Sequence, residues 1–408
     1  MKYHTVKQGV YIHIPFCKSR CVYCDFYSTT QSEQSKDLFI EALANEVKAR
    51  AHFFDNNNID TLYLGGGTPS TLGAESLSDI LNIVRDNFVL KPEAEVTIEV
   101  NPDDVTPTFA DHLTKTGVNR VSMGVQTFND DHLSFLHRRH SANQAISAIK
   151  TLRSAGITNI SIDLIYGLPG QTLEQWQKDL DTAFSQNISH LSAYALIYEE
   201  GTALYNMREK GLVAEADEEL SLEMFTALMN KAREAGFLHY EISNFSLPDL
   251  HSRHNSGYWD GMHYLGLGPG AHSYNGTTRF ANIGNLSAYI KAGGLTTENN
   301  LSITEHLTIS QQIEETLLTS LRTAAGLDLV NFNSRFGSDA LRRIINRALP
   351  YIYSGKLVLS DRCFNTFPGL PATIPDIDSS TLLDSFKTMV LSREGIFVSD
   401  DIISSLFD

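Results

Sequence analysis

The stretch that decides the fold is YIHIPFCKSRCVYC, from Tyr11 to Cys24, in which a short apolar run leads directly into three cysteines. The run from Val10 to Ile14 predicts a β-strand, so the cysteines follow at its carboxyl end. The three thiols, Cys17, Cys21 and Cys24, have the spacing C-x3-C-x2-C. In a reducing compartment such a cluster indicates metal binding or chemistry rather than disulfide bonds.

Strand-like runs alternate with helical segments from about residue 9 to residue 200. The predicted strands are Val10–Ile14, Thr61–Leu64, Glu95–Val100, Arg120–Gly124, Asn159–Ile165 and His190–Leu196. The predicted helices between them are Lys36–Ala51, Leu77–Phe88, Thr108–Thr116, Asn143–Ser154 and Leu173–Ser185. This alternation is typical of β/α units around a parallel sheet, and we expect an α/β fold with a partial, six-unit TIM-like (β/α)6 barrel.

Unusual residues occur where the first five predicted strands end. GGGTPS follows the second strand, Glu99 and Asn101 stand at the third, Gln126 follows the fourth and Asp163 lies in the fifth. Sites of barrels and open parallel sheets are assembled at the carboxyl edge of the strands, so one site that draws on five strands is expected. Turn formation explains some of the Gly and Pro residues, but not the whole set.

The three cysteines suit an iron-sulfur cluster. Three thiolates in one tight loop can hold three corners of a cubane 4Fe-4S cluster and leave the fourth iron open to a small molecule. Structural zinc, with His13 or Cys363 as fourth ligand, is the alternative, together with coincidence. Zinc sites usually pair their ligands two and two, which favours the iron-sulfur interpretation.

The cysteine spacing after the first strand, with GGGTPS after the second, resembles the radical S-adenosylmethionine (SAM) enzymes. The resemblance implies that the amino and carboxylate groups of SAM chelate the open iron. It also implies that the reduced cluster can cleave SAM to methionine and a 5'-deoxyadenosyl radical, a step in which the cofactor supplies the chemistry and the protein positions it.

Further motifs narrow the resemblance to the coproporphyrinogen-oxidase-like branch: YIHIPFC, IEVNP, SMGVQTF, LHRRH and SIDLIYGLPGQT. By that resemblance the SAM contacts are Tyr11, Gly66, Gly67, Thr68, Glu99, Gln126, Arg138 and Asp163, with Tyr23 near the adenine. Carboxylates suit ribose hydroxyls and an ammonium group, an arginine suits a carboxylate, and amides of a Gly-rich turn can approach a polar ligand. Taken singly, each residue also has an ordinary role in ion pairing, capping or packing.

Two departures favour the HemW-like radical SAM heme chaperones over the oxygen-independent coproporphyrinogen III oxidases. The oxidases carry a further cysteine where this chain has Phe26, and they have an extension before the first strand. YEISNFS from Tyr240, HNSGYW from His254 and the LRTAAGLDL segment are similar to the chaperone pattern. The chaperone resemblance implies a protein that binds a 4Fe-4S cluster, SAM and heme, receives electrons from a donor and delivers heme to membrane-bound respiratory hemoproteins. Oxidative decarboxylation of coproporphyrinogen III to protoporphyrinogen IX is the alternative.

A heme chaperone needs an axial ligand in an apolar setting. His254 is the preferred candidate, and the stretch from His251 to Tyr274, predicted as a His-, Tyr- and Gly-rich loop, supplies others: His251, His263, His272, Tyr258 and Trp259. Each of these could instead hydrogen-bond the backbone and cover the barrel mouth.

Three regions are expected: a radical SAM core barrel over residues 1–200, a barrel extension with the loop region over 201–300, and an α-rich, winged-helix-like domain over 301–408 with a hairpin near residues 353–364. The net charge of −16 and the lack of a basic, aromatic-interleaved helix disfavour nucleic acid as a partner. No apolar stretch approaches 18 residues and no signal peptide is recognised, so a cytoplasmic protein with peripheral membrane contact is expected.

Overall fold

A computed structural model describes residues 6–30, 33–369 and 385–407, and the predicted alternation of strand and helix is present in its first half. The strands are β1 (Gln8–Ile14), β2 (Asn58–Gly66), β3 (Val89–Val100), β4 (Arg120–Gln126), β5 (Asn159–Tyr166) and β6 (His190–Ala195). The helices are α1 (Glu33–Ala49), α2 (Ala74–Asn87), α3 (Pro107–Lys115), α4 (Asp130–Phe135), α5 (Ala142–Ser154) and α6 (Leu173–Ser185). Every strand and helix predicted up to residue 200 is confirmed, with small shifts at the ends; α4 was not predicted.

Side chains that hydrogen-bond to the backbone cap the starts of several of these helices. Ser141 and Gln144 form a capping box at the start of α5, and Thr172 and Gln175 form another at α6. Each box satisfies two backbone N–H groups that a helix leaves unpaired at its start. These pairs fix the residues at which α5 and α6 begin.

The six strands are parallel and have two chemically different faces. One face carries apolar, fully buried residues such as Ile12, Leu62 and Ile162 beneath the connecting helices. The other, here called the inner face, carries polar and aromatic residues, because side chains alternate along a strand. In register across the strands, the inner face comprises Tyr11, Tyr63, Thr97 and Arg120 at one level, and Glu99, Ser122 and Ser161 above it.

The sheet continues beyond β1 through a second group of strands. This part contains α7 (Ala203–Glu209), α8 (Glu218–Glu234), α9 (Arg253–Trp259), β9 (His263–Leu267), β10 (His272–Tyr274), β11 (Thr278–Asn282), α10 (Leu286–Lys291) and β12 (Ser302–His306). β9 pairs parallel to β1, with Gln8 opposite His263 and Ile12 opposite Leu267. β10 and β11 follow β9 in an antiparallel arrangement, and β12 lies beside β11.

The loop predicted from His251 is therefore wrong, because the stretch forms α9, β9 and β10. Its glycines suggested a loop, but Gly266 lies within a strand where a Cβ atom would stand 2.0 Å from the carbonyl oxygen of His272. Glycine here permits a close approach of two backbones rather than a flexible loop.

The second part of the chain forms a hairpin and a C-terminal α-rich region. The hairpin is β7 (Leu238–Glu241) and β8 (Asn244–Ser246). The C-terminal elements are α11 (Ile309–Leu321), β13 (Leu327–Asp328), α12 (Leu329–Phe336), α13 (Ser338–Tyr353), β14 (Leu357–Ser360), β15 (Thr388–Leu391), α14 (Arg393–Ile396) and α15 (Ser399–Ser405). Helices with a small antiparallel sheet, in the order β13-β15-β14, match the α-rich, winged-helix-like prediction. The hairpin expected near residues 353–364 is wrong, since β14 pairs with the distant β15.

The chain divides into two compact units. The first comprises the chain up to Lys231 with Ser252–Gly257 and Met262–Glu305, and the second comprises Ala232–His251, Tyr258–Gly261 and the chain from His306 onward. Residues 201–300 thus belong partly to each unit. Among the described residues, no helix has the length and apolar character needed to cross a bilayer.

Candidate functional site

The three cysteines lie in a loop that is anchored at its base and near its tip. At the base, the Cys17 amide donates to the carbonyl of Thr29 at 3.0 Å. Near the tip, the Val22 amide donates to the carbonyl of Leu136 and its own carbonyl accepts from the Leu204 amide at 2.9 Å. The cysteines are all partly exposed, and they follow the carboxyl end of β1.

The thiols lie close enough to affect one another electrostatically. Burial raises the pKa of the Cys24 thiol to about 11; a hydrogen bond from the backbone of Phe26 opposes this, and the charges of Cys21 and Cys17 add to it. Three thiolates are therefore disfavoured here unless cations accompany them. Iron supplies that positive charge, and binding it releases the thiol protons. The donor set and its electrostatics fit a 4Fe-4S cluster with three cysteine ligands.

His13 does not fit the zinc alternative. Its Nε2 lies 2.8 Å from the carbonyl oxygen of Tyr27, and its Nδ1 lies 3.2 Å from the hydroxyl of Tyr11. Both ring nitrogens are thus engaged within the protein. Cys363, the other candidate, is exposed and belongs to the second unit.

The Gly-rich turn after β2 packs against the cysteine loop. A Cβ atom at Gly67 would stand 2.7 Å from the carbonyl oxygen of Phe16, so only glycine fits there. The amides of Gly67 and Thr68 donate to the carbonyls of Ile14 and Phe16 at 2.8 and 2.7 Å. We expected these amides to face a ligand, but they are engaged within the protein. Ligand contacts from this turn would therefore use other atoms.

Two carboxylates, Glu99 and Asp163, lie half-buried on the inner face. Glu99 accepts hydrogen bonds from the Tyr63 hydroxyl at 2.8 Å and from the Gly66 amide at 3.1 Å. Burial raises its pKa to about 7, and the neighbouring charge of Asp163 adds to this effect. Asp163 accepts from Ser122 at 3.3 Å, and burial raises its pKa to about 6. Buried acids with such raised pKa values are typical of functional sites.

Arg138 links the cysteine loop to the ends of β3 and β4. Its Nη1 donates to Cys21 Sγ at 3.4 Å, and its Nη2 donates to the Gly124 carbonyl at 2.6 Å and to Asn101 Oδ1. Gln126, at the end of β4, has a φ angle of 70°, a left-handed conformation that is strained for a residue with a side chain. A bulge at this point turns the end of the strand and places Gln126 beside Arg138.

The predicted aromatic residues lie on either side of this region. Tyr11 packs beside Tyr63, with ring centroids 6.0 Å apart. Tyr23 packs against an apolar cluster that contains Leu168 and Leu204. Burial raises the pKa of the Tyr23 hydroxyl, which hydrogen-bonds with Cys21. Both tyrosines therefore contact side chains of the candidate site.

His254, the preferred heme ligand, lies elsewhere. Its side chain is fully buried, and its Nδ1 lies 2.7 Å from the hydroxyl of Thr61, near the amino end of β2. Its ring packs 5.1 Å from that of Tyr63, and burial lowers its pKa to about 3. In this conformation His254 packs beneath the inner face, and a heme iron would reach it only if α9 moved. Heme ligation by His254 stays a prediction.

Sequence reasoning missed Arg120 and Tyr63 on the inner face. The sequence does contain an indication of Arg120. It is a charged residue in the predicted strand NRVSMGV, and the polar Ser122 follows two positions later. Alternation along β4 would have placed both side chains on the face that carries Glu99 and Asp163.

Comparison with known proteins identifies relatives. The radical SAM superfamily matches residues 11–183. The heme chaperone HemW of Lactococcus lactis is 36% identical over 354 residues, which cover 87% of this chain and 91% of the relative. The heme chaperone HemW of Bacillus subtilis is 37% identical over 335 residues, 81% of this chain and 87% of the relative.

A solved structure shares the fold over the full length. The radical SAM enzyme coproporphyrinogen III oxidase (HemN) of Escherichia coli aligns with a TM-score of 0.81, covering 100% of this chain and 91% of its own. The sequence identity is 23%, so this likeness establishes the α/β radical SAM fold and not the reaction.

Proposed function

We propose a function from one premise: the chain belongs to the radical SAM superfamily and, within it, to the HemW heme chaperone family. Radical SAM membership implies a 4Fe-4S cluster and SAM as cofactors. The proposed function is to bind heme and deliver it to membrane-bound respiratory hemoproteins. The similarity to HemW proteins over about nine-tenths of their length carries this proposal.

The carboxyl end of the inner face is the proposed cofactor site. Cys17, Cys21 and Cys24 would hold the cluster. Glu99 and Asp163 would accept hydrogen bonds from hydroxyl or ammonium groups of SAM. Arg138, Gln126, Tyr11, Tyr23 and the turn Gly66-Gly67-Thr68 complete the proposed SAM set. When bound, the reduced cluster supplies one electron for the cleavage of SAM, and an electron-donor protein would restore it.

Three exposed apolar side chains are candidates for contact with a porphyrin. Phe26 is 64% exposed, and Ile197 and Tyr194, which lie near the end of β6, are 63% and 43% exposed. We propose that these side chains contact a face of the porphyrin. His272, exposed at the start of β10, lies within electrostatic range of His13 at the end of β1. We favour it as the axial ligand over His254, whose side chain is fully buried.

The oxidase remains the second candidate because the fold is shared with HemN. Phe26 argues against it, since the oxidases carry a cysteine at this position. An exposed phenyl ring can contact a porphyrin face but cannot ligate a metal.

The experiment is anaerobic. The cluster is reconstituted, and hemin is titrated into the protein with SAM present while the Soret absorbance is followed. The heme-loaded protein is then mixed with membrane vesicles from heme-deficient cells, and quinol oxidase activity is measured. Heme-loaded serum albumin, a donor without specificity, is the control. Coproporphyrinogen III replaces hemin in a parallel assay for decarboxylated product.

We expect tight heme binding, faster activation of the vesicle oxidase than with albumin, and no decarboxylated product. Turnover to protoporphyrinogen IX would identify the oxidase instead. Heme transfer no faster than from albumin would contradict delivery.

A further inference from the structure

Arg120 is a buried cation without a direct partner for two of its donors. Its side chain is 1% exposed, at the start of β4 on the inner face. Its Nε and Nη1 atoms are buried, and neither has a hydrogen-bond acceptor among the described residues. A buried guanidinium in this state is costly unless nearby negative charge compensates for it.

Negative charge faces Arg120 from both neighbouring strands. Arg120 interacts electrostatically with Glu99 on β3 and with Asp163 on β5, and it favours the ionised form of each. The other groups that face these carboxylates are Tyr63 from β2 and Arg138 from the segment after α4. His254 faces Arg120 from α9 and is held neutral by burial.

Arg138 already donates hydrogen bonds to Cys21 and to the Gly124 carbonyl, so it is engaged away from Glu99 and Asp163. Tyr63 donates to Glu99 but carries no charge. Arg120 is therefore the cation that interacts with both carboxylates and whose Nε and Nη1 have no direct partner among the described residues.

We propose that Arg120 is a positioning residue for SAM: its buried guanidinium is the counter-charge that favours the ionised, hydrogen-bond-accepting forms of Glu99 and Asp163. The inference rests on the proposed SAM site. Arg120 acts through the carboxylates and does not itself touch the ligand.

A pH dependence follows. A ligand that binds the ionised carboxylates loses affinity as the pH falls through their pKa values in the free protein. Without the buried cation these pKa values rise, so the loss of affinity begins at higher pH. We expect the midpoint to move upward by about one pH unit, at the low end of the effect that a nearby opposite charge has on a carboxyl pKa.

The test measures the Kd of SAM between pH 6 and 9 for the cluster-reconstituted protein, for Arg120→Gln and for Arg120→Lys. Arg153→Gln removes a positive charge from α5 and is the matched control. The α-amino group of SAM also titrates in this range, but it does so equally for every variant. The difference between midpoints is therefore the quantity that decides.

We expect the midpoint to move upward in Arg120→Gln, to stay near the wild-type value in Arg120→Lys, and to be unchanged in Arg153→Gln. A uniform loss of affinity in both Arg120 variants, with no shift of the midpoint, would overturn the inference and indicate a structural role. If Arg120→Gln does not fold, Arg120→Lys decides: the wild-type midpoint supports the counter-charge, and a shifted one contradicts it. Absence of SAM binding by the wild-type protein would instead refute the proposed site.

Discussion

The inner face of the sheet has two ends that look alike in sequence and differ in structure. At the amino end, Glu95 accepts the backbone amides of Arg253 and His254, both at 3.0 Å, and Thr61 pairs with the His254 ring. Toward the carboxyl end, Glu99 and Asp163 interact electrostatically with Arg120, which lies at the start of β4 and whose Nε and Nη1 lack direct partners among the described residues.

The comparison separates polar residues that stabilise the fold from those available to a ligand. Glu95 and Thr61 at the amino end are matched by protein hydrogen bonds, which is the usual state of buried polar groups. At the carboxyl end, the acids have raised pKa values, and the charges of Cys17 and Cys21 add to the raised pKa of the Cys24 thiol. We infer that the carboxyl end binds cofactors and that the hydrogen bonds of Glu95 and Thr61 at the amino end stabilise the fold.

The largest effect is expected from the cysteines. Replacing Cys17, Cys21 or Cys24 by Ala removes one of three thiolate ligands, so iron content and the cluster absorbance after reconstitution should be almost abolished. Iron and sulfide assays on the purified protein measure this. Cys363→Ala, at an exposed position, is the control and should bind a full cluster. A normal cluster in any of the three variants would exclude that cysteine as a ligand.

Glu99→Gln should weaken SAM binding by about tenfold or more, since loss of a charged acceptor in a buried site costs at least about 1.5 kcal/mol. Equilibrium dialysis of labelled SAM with the reconstituted protein checks this. Glu95→Gln is the matched control at the amino end, where the affinity should stay within a factor of two or so of wild type. Equal losses in both variants would break the distinction between the two ends.

His254→Ala should lower the free energy of unfolding by about 2–4 kcal/mol, because it leaves a cavity beside Tyr63 and an unpaired Thr61 hydroxyl. Denaturant unfolding measures the loss, and hemin titration of the same variant should show an unchanged affinity. His272→Ala, at an exposed position, should show the reverse pattern. Loss of heme affinity without loss of stability in His254→Ala would make it the heme ligand.

The smallest effect concerns stability and pH in the protein without cofactors. The pKa of Glu99 is raised from 4.5 to about 7, so the folded state favours the protonated acid. Its contribution to stability is full below about pH 4.5 and is lost as the pH rises through about 7. Glu99→Gln cannot ionise, so its melting temperature should rise relative to wild type between these pH values. A difference in melting temperature that stays constant from pH 5 to 8 would contradict a raised pKa for Glu99 in the folded protein.

Most of the barrel could be predicted from the sequence because its elements are local. Apolar periodicity and caps such as Ser141 and Thr172 set the helices, and parallel strands place their carboxyl ends together. This logic predicts that Glu99, Gln126 and Asp163 lie at one edge of the sheet. It cannot show that the amides of Gly67 and Thr68 are engaged within the protein, because their acceptors, Ile14 and Phe16, lie at and just after the end of β1.

The remainder depends on contacts between distant segments. β9 pairs with the edge of β1 that β2 leaves open. The glycine-rich local sequence does not reveal this pairing. His254 lies in a motif that suggested a surface loop, yet its partner Thr61 is 193 residues away. Arg120 is ordinary in sequence, and the strand register places it on the inner face opposite Thr97 and Asn159, on the strand between those that carry Glu99 and Asp163.

Hydrogen-deuterium exchange of the reconstituted protein with and without SAM tests the central claim most directly. We predict slower exchange on SAM binding in peptides that cover residues 63–68, 99–104, 124–128 and 163–168, with no change over residues 252–262. Protection over 252–262 with none at the carboxyl ends of the strands would place the ligand at the amino end and contradict the account.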